Sequence, residues 1–218
     1  MKRIIIVCEG QTEQEFCKDV LQPHFNKKEI YLQAPIIKKS GGGIVAWKTL
    51  KMQIENHLKQ DKEAFVTTFL DYYGIHDNHA FPEWDASKGI VDKNNRMSLL
   101  ESSMHLAIED SINHRFIPYL QLHEFEGLLF NDIKVFEDNF RPDELVNKPE
   151  LEQTINANPN PELINDTPQN APSYRLGRLI NGYNKIVYGS ILAESIGLEK
   201  IRAKSPRFNN WITTLENL

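Results

Sequence analysis

Residues 2–16, KRIIIVCEGQTEQEF, point to the fold class of this chain. The segment KRIIIVC (2–8) is a continuous, mostly β-branched run without alternation, which is typical of a strand buried on both faces. The segment that follows, QTEQEFCKDVLQPHF, has helical spacing. Thr12 and Glu15 lie three residues apart and predict a capping box at the start of that helix. A buried strand that leads directly into a helix favours an α/β fold.

Strands and helices continue to alternate as far as about residue 130. Strands are predicted at 29–39, 63–74 and 115–126, and helices at 44–60 and 96–112, with a long polar loop at 74–95. Such alternation, with long crossovers, implies a mostly parallel sheet of about four strands flanked by helices.

After residue 130 the sequence becomes polar and rich in Asn and Pro, and no strand-like run follows. We therefore predict an α/β core over residues 1–130 and an all-helical C-terminal portion over residues 131–218 that packs on it. Phe208 and Trp211 are expected to anchor the last helix. The helices predicted in this portion are 132–140, 142–157, 172–183, 185–195 and 206–217.

Composition limits the classes of function. The 218 residues are 40% hydrophobic and 25% charged, which is enough for an ordinary core. A net charge of -5 argues against a protein that coats nucleic acid by bulk electrostatics, but it is compatible with acids that hold divalent cations. The N-terminal apolar run is too short for a membrane span or a signal segment, so we expect no membrane association. Two cysteines, Cys8 and Cys17, favour a reduced protein in the cytoplasm.

Polar residues follow three of the predicted strands. Glu9 follows the first strand, Asp71 ends the third, and His123, Glu124 and Glu126 end the fourth. In parallel sheets the ligand crevice lies outside the carboxyl ends of the strands, so we expect these side chains to meet at one edge. Glu124 and Glu126 lie two residues apart and share a side of an extended chain.

Three of these acids also have a purely structural interpretation. Glu9 and Gly10 could form a simple strand exit, and acids are common in the first turn of a helix, which would explain Glu124 and Glu126. The functional interpretation is that Glu9, Asp71, Glu124 and Glu126 ligate Mg²⁺ or Mn²⁺, which prefer oxygen ligands. His123 would then orient a carboxylate, position water or act as a general acid.

Three basic residues are candidates for contacts with phosphate: Lys38, Arg175 and Lys185. Arg175 follows Ser173, which is predicted to cap a helix whose free N–H groups could meet an anion. Lys39 and Arg178 are interpreted as surface charges. The SGGG loop (40–43) lacks the Gly-Lys-Ser/Thr ending of a phosphate-binding P-loop and is interpreted as flexible.

Several motifs are distributed along the chain: VCEGQTE (7–13), FLDYYG (69–74), FIPYLQLHEFEGLLF (116–130), PELIN (161–165), APSYR (171–175), YNKIVYG (183–189) and SPRFNNW (205–211). Together they resemble a known bacterial family, the domain-of-unknown-function family 4276. That family is in turn similar to the Toprim fold of topoisomerases, primases and nucleases of the overcoming-lysogenization-defect kind.

The resemblance implies specific roles. Toprim proteins use Mg²⁺ and carry a glutamate after the first strand and an Asp-x-Asp pair after a later one. Glu9 matches the glutamate and Asp71 the first aspartate, but Tyr73 stands where the second aspartate is expected. Glu124 or Glu126 could substitute for it, one metal could suffice, or the site could bind without catalysis. The resemblance also implies a role in phage defence or mobile elements, often beside an ATPase partner.

The leading hypothesis is a Mg²⁺-dependent nuclease, a phosphodiesterase acting on DNA or RNA, on a Toprim-like core. The first alternative is a non-catalytic binding or regulatory subunit of an ATPase-containing defence complex. The second is a hydrolase of nucleotides or small phosphoesters. The metal count and the oligomeric state, including a homodimer, stay open.

Overall fold

The computed structural model describes residues 2–38, 43–165 and 167–218. Lys39 and residues 40–42 of the SGGG loop lie outside the described residues, so the interpretations given for them stay predictions. Within the described part of the chain, no helix is both long and apolar enough to cross a bilayer.

The sheet is parallel, as predicted. Its path has the order β2-β1-β3-β4, and the short strand β5 also pairs with β3. All four strand pairings are parallel. The strands are β1 (Lys2–Cys8), β2 (Ile30–Gln33), β3 (Phe65–Asp71), β4 (Phe116–Ile117) and β5 (Leu120–Gln121).

The fourth predicted strand is divided into β4 and β5 at Pro118, which has no N–H to donate to a ladder. The Thr68 side chain bridges the break. Its Oγ1 donates to the Tyr119 carbonyl (2.8 Å) and accepts from the Tyr119 N–H (2.9 Å). The chain therefore continues along β3 past the proline and delivers its polar end to the same edge.

Helices cover both faces of the sheet and form the C-terminal portion, which confirms the predicted fold class. A π-helical turn, Cys17–Leu21, joins the first two helices. The helices are α1 (Gln11–Phe16), α2 (Gln22–Asn26), α3 (Trp47–Gln60), α4 (Trp84–Lys88), α5 (Lys93–Leu106), α6 (Ile133–Asn139), α7 (Lys148–Ala157), α8 (Pro172–Leu179), α9 (Lys185–Ile196), α10 (Leu198–Lys204) and α11 (Pro206–Glu216).

Alternate residues of β1 face two different hydrophobic cores. Ile4 and Ile6 join a cluster that contains residues of α1, α9 and α11, whereas Ile5 and Val7 join a cluster with α3 and α5. Burial on both faces explains the uninterrupted apolar run of this strand. The first cluster extends from β1 to Leu215, so the helical C-terminal portion packs directly on the sheet.

The last helix is anchored as expected. Trp211 donates its indole N–H to Thr67 Oγ1 in β3 (2.9 Å) and stacks on Tyr119, with ring centroids 4.4 Å apart. Phe208 is fully buried beside it. Together these contacts hold α11 against the centre of the sheet.

Some helix boundaries differ from the prediction. The helix expected from residue 142 begins at Lys148, because the Asn147 side chain caps it and Pro149 fits its first turn. The predicted loop 74–95 contains α4 and the start of α5, and α10 was not predicted.

The predicted capping box at Thr12 and Glu15 is wrong. Gly10 is the N-cap and Glu13 is the third helical residue, so Glu13 Oε2 accepts the Gly10 N–H at 2.8 Å. The helix starts two residues earlier than the pattern predicts, which moves the capping role from Glu15 to Glu13. Glu15 pairs instead with Lys18 (3.0 Å), and Thr12 is buried.

Candidate functional site

The ends of β1 and β3 are joined through Glu9 and Asp71. The Glu9 N–H donates to the Phe69 carbonyl (3.1 Å), and the Asp71 N–H donates to Glu9 Oε2 (2.9 Å). Asp71 Oδ1 in turn accepts the Phe125 N–H (2.9 Å), which ties the edge to the segment after β5. The polar ends of three strand segments thus lie together, since parallel strands end at one edge of a sheet.

A cavity of about 620 Å³ opens at this edge. It is lined by three charged residues from different elements: Glu9 at the end of β1, Glu13 on α1 and Lys185 at the start of α9. Asp71 and Glu126 are buried, with exposed fractions of 7% and 0%. We call Glu9, Glu13, Asp71, Glu126 and Lys185 the carboxylate cluster.

Glu126 is the most buried member of the carboxylate cluster. Lys185 Nζ lies 3.2 Å from its Oε1, within ion-pair distance. The contact is not aligned as a hydrogen bond, and both carboxylate oxygens of Glu126 lack a hydrogen-bond partner among the described residues. A buried acceptor without a donor is costly unless a proton, a cation or water reaches it.

The cluster has more negative charge than Lys185 compensates. Burial raises the pKa of Glu9 to about 7, the charges of Glu13 and Glu126 add to this, and the Asp71 N–H and Lys185 act against it. Burial and the neighbouring carboxylates also raise the pKa of Asp71 well above its usual range, and that of Glu13. Closely spaced, poorly solvated carboxylates favour protons or cations.

Lys185 has the complementary environment. Burial lowers its pKa, but the charges of Glu126, Asp71 and Glu13 outweigh that effect and raise the pKa above its ordinary value. Its ammonium is therefore charged at neutral pH and supplies a positive charge to the cluster.

Glu124 is held by the start of α8. The Ser173 N–H donates to Glu124 Oε2 (2.9 Å) and the Ser173 hydroxyl donates to Oε1 (3.0 Å). Burial raises the pKa of Glu124, and these two hydrogen bonds act against the rise. Ser173 does not cap the helix as predicted, because α8 begins at Pro172 and Ala171 is its N-cap. The anion at this helix start is Glu124 itself.

His123 is in a left-handed conformation, with φ at 66°, which is unusual for a residue other than glycine. Lys93 Nζ lies 2.9 Å from its Nε2, and Asn165 Nδ2 lies 3.3 Å from its Nδ1. An ammonium group can only donate, so the imidazole lone pair is on Nε2. Burial, followed by the charges of Lys93 and Arg96, lowers the pKa of His123 to about 4, and the ring is neutral at pH 7.

The three predicted phosphate contacts lie in separate places. Lys185 belongs to the carboxylate cluster. Arg175 lines a different cavity, of about 690 Å³, between α7 and α8, and its Nε donates to the Asn170 carbonyl (2.7 Å). Lys38 is exposed and lies beside α3, where its N–H donates to Gln53 Oε1 (2.8 Å).

A sequence profile for the family described as "Domain of unknown function (DUF4276)" matches residues 8–216. The chain belongs to this family. No curated protein and no solved structure matches the chain significantly. The function of this DUF4276 protein therefore has to be argued from its own site.

The donor set of this DUF4276 protein fits a hard divalent cation. Every anionic group of the carboxylate cluster offers carboxylate oxygen, the ligand type preferred by Mg²⁺ and Mn²⁺. The two oxygens of Glu126 have no hydrogen-bond partner among the described residues and could bind such a cation. Within the described ranges, however, no three His, Cys, Asp or Glu side chains form a ready-made metal-ligand group. The donor chemistry fits, whereas a complete ligand set requires side chains to move.

Sequence reasoning left Glu13 ambiguous and missed Lys93 and Asn165. Glu13 could have been recognised, because a Gly N-cap at position 10 places it at the capping-box position. Lys93 and Asn165 reach His123 from segments 30 and 42 residues away in sequence, and no local pattern indicates such contacts.

Proposed function

We propose that this DUF4276 protein is a Mg²⁺- or Mn²⁺-dependent phosphodiesterase that cleaves nucleic acid, DNA or RNA. The main support is the carboxylate cluster at the carboxyl edge of a parallel sheet, where Glu126 is fully buried with unpartnered oxygens. The motif resemblance to Toprim nucleases agrees with this proposal, although Tyr73 replaces one expected aspartate.

Glu9, Asp71 and Glu126 are the proposed metal ligands, and Glu13 adds negative charge beside them. When bound, the metal would lower the pKa of a coordinated water and stabilise the charge of the phosphodiester displacement. Asp71 and Glu9 are already oriented by hydrogen bonds at 2.9 Å, so less ordering is needed for binding.

Glu9 serves as a ligand in this proposal and not as the general base. Its pKa of about 7 belongs to the metal-free site, and a bound cation would lower that pKa because a nearby positive charge favours the carboxylate. Glu124, held by Ser173, and neutral His123, held by Lys93, would orient groups at the side of the site. Lys185 would contact phosphate once a metal takes over part of its pairing with Glu126.

Cleavage of end-labelled DNA and RNA, single-stranded and duplex, tests the proposal. The full chain is incubated with EDTA, Mg²⁺ or Mn²⁺, in the wild type and in Glu9→Gln, Asp71→Asn and Glu126→Gln. We expect metal-dependent cleavage that falls at least about 10-fold in each variant. The matched control is Glu15→Gln, also on α1, whose carboxylate pairs with Lys18 outside the cluster.

The rival function is a non-catalytic binding or regulatory subunit, with an ATPase as partner. Two observations favour it: Lys185 already supplies a cation to Glu126, and the described residues contain no preformed metal-ligand group. Metal binding without cleavage of DNA, RNA or mononucleotide esters, by the protein alone or with its genomic neighbour, would exclude the phosphodiesterase and favour this rival.

Two further expectations accompany the proposal. Cys8 and Cys17 are free thiols, which agrees with a reducing cytoplasm, and a role in phage defence is implied only by the motif resemblance. A hydrolase of small phosphoesters is the remaining alternative, since about 620 Å³ would also hold a single nucleotide. Cleavage of mononucleotide esters but of no polymer would favour it.

A further inference from the structure

We propose that helix α8 presents a binding face for single-stranded nucleic acid, formed by Tyr174, Arg175, Gly177 and Arg178; we call it the α8 face. This inference rests on the proposed function, which gives nucleic acid as the substrate, and it adds that the bound form is single-stranded. It adds a binding site outside the carboxylate cluster.

Tyr174 supplies an aromatic surface. Its exposed fraction is 64%, compared with 43% for Tyr31, the other exposed tyrosine of the described chain. Gly177 lies three residues later, on the same side of the helix, and a Cβ built there would have nothing within 4 Å. A hollow of about 400 Å³ is lined by Ser173, Tyr174, Gly177 and Arg178. A base could therefore stack on the ring without meeting a side chain at position 177.

Cations border this surface. Arg175 and Arg178 both line the cavity of about 690 Å³ between α7 and α8, and Asn147, Gln153 and Asn158 contribute amide groups to it. Guanidinium groups bind phosphate, and amide side chains can bond to the edges of unpaired bases. An exposed aromatic ring beside cations is the usual arrangement of sites for single strands.

The positive charge of Arg178 is already partly neutralised by a neighbouring carboxylate. Its Nη2 forms an ion pair with Glu150 Oε1, and its Nη1 donates to the Gln169 carbonyl (3.3 Å). A bound phosphate would therefore compete with Glu150 for the guanidinium. This competition predicts moderate affinity and makes Glu150 a restraint on binding.

The α8 face begins next to the proposed active site. Ser173, the residue before Tyr174, donates two hydrogen bonds to Glu124. Because Ser173 also lines the hollow beside Tyr174, it connects the α8 face to Glu124. Duplex DNA has its bases paired and stacked, so it could use the cations but not the aromatic ring.

Fluorescence anisotropy with labelled single-stranded DNA and RNA oligonucleotides, in EDTA, tests the inference without cleavage. Tyr174→Ala should weaken binding about 5- to 100-fold, and Tyr174→Phe should bind within about 2-fold of the wild type. The control is Tyr31→Ala, since Tyr31 is 43% exposed on β2, away from α8, and its loss should leave affinity unchanged.

Three further variants separate binding from folding. Gly177→Gln should fold at least as well, because glycine is a poor helix former, yet block the hollow and weaken binding. Glu150→Gln should strengthen binding by releasing Arg178, whereas Arg178→Gln should weaken it and reduce the salt dependence by about one phosphate contact.

The inference is overturned if Tyr174→Ala and Tyr31→Ala bind equally, if duplex binds as tightly as single strands, or if the wild type binds no oligonucleotide. Its failure is distinguishable from failure of the proposed function. Metal-dependent cleavage with binding unaffected by Tyr174→Ala removes the α8 face alone. Tyr174-dependent binding without cleavage in Mg²⁺ or Mn²⁺ supports the face and removes the phosphodiesterase.

Discussion

The Lys185 ammonium lies 3.2 Å from Glu126 Oε1, and the two side chains differ greatly in exposure, at 51% and 1%. The positive charge therefore comes from the solvent side, on α9, and the negative charge from a residue buried in the core. The charges of Glu13 and Asp71 also raise the pKa of Lys185. A half-exposed cation over several poorly solvated carboxylates is a charge balance that one substitution or one added ion can shift.

Lys185→Met should make the protein less stable and more responsive to metal. Removing one partner of a buried ion pair costs about 3–5 kcal/mol, and we expect about 1–2 kcal/mol here because the ammonium is half exposed. Thermal unfolding in EDTA and in Mg²⁺ measures both effects, and Mg²⁺ should raise the Tm of the variant more than that of the wild type. Lys134→Met, at an exposed pair with Asp138, is the control. Equal responses to Mg²⁺ in the wild type and Lys185→Met would contradict the idea.

Glu9→Gln should remove a pH-dependent penalty on folding. The folded Glu9 has a pKa of about 7, above the usual 4.5, so folded protein holds a proton that the unfolded chain releases. Stability falls as the pH rises from about 4.5 to 7, and a penalty on the order of 1–3 kcal/mol remains above pH 7. The variant should therefore gain stability relative to the wild type between pH 5 and 8, as measured by urea unfolding in EDTA.

The pKa shift of His123 makes stability depend on pH in the opposite direction in the same experiment. Its pKa is lowered to about 4, so its contribution to stability is present above pH 6.5 and is lost as the pH falls from 6.5 towards 4. Both proteins contain His123, and the difference between them isolates Glu9. A difference that does not change with pH would show that Glu9 is ionised throughout the range.

Ser173→Ala should loosen Glu124. The carboxylate keeps the Ser173 N–H but loses the hydroxyl donor at 3.0 Å, so its pKa should rise further. Hydrogen bonds to charged groups are worth about 1.5–3 kcal/mol, and we expect the lower end because one donor stays. Urea unfolding at pH 7 measures the loss. Ser111→Ala, which removes an exposed hydroxyl from Glu109, should cost almost nothing by comparison.

Gly189→Ala should separate α9 from α1. A Cβ at this position would lie 2.9 Å from Thr12 Cγ2 and 3.4 Å from Phe125 Cε1. Alanine normally stabilises a helix relative to glycine by about 1 kcal/mol, so a net loss of stability would identify the clash. The displacement would also move Lys185, on α9, relative to Glu13, on α1.

The double variant Thr12→Ser with Gly189→Ala checks this interpretation, because serine lacks the Cγ2 methyl group. We expect Thr12→Ser to restore most of the stability that Gly189→Ala removes. Thermal unfolding of all four proteins in a double-mutant cycle measures this effect. Strict additivity of the two effects would contradict the proposed contact.

Much of the architecture was predictable because it rests on local patterns. The β-branched run of β1 predicted a strand buried on both faces, and the two hydrophobic clusters explain that pattern. The errors also have local causes. The capping box was assigned two residues late, to Glu15 instead of Glu13, and Pro118 interrupts a strand that periodicity alone continues.

From sequence alone one could place Glu9 and Asp71 at one edge, since parallel strands end together and each residue follows a recognisable strand. The charge environment of these residues required the folded chain. Asp71 contacts Glu9 across 62 residues and Ser173 contacts Glu124 across 49, and Lys185 is brought over Glu126 by the helical C-terminal portion. Burial and partners set a pKa, and both arise from packing between distant segments that no local pattern encodes.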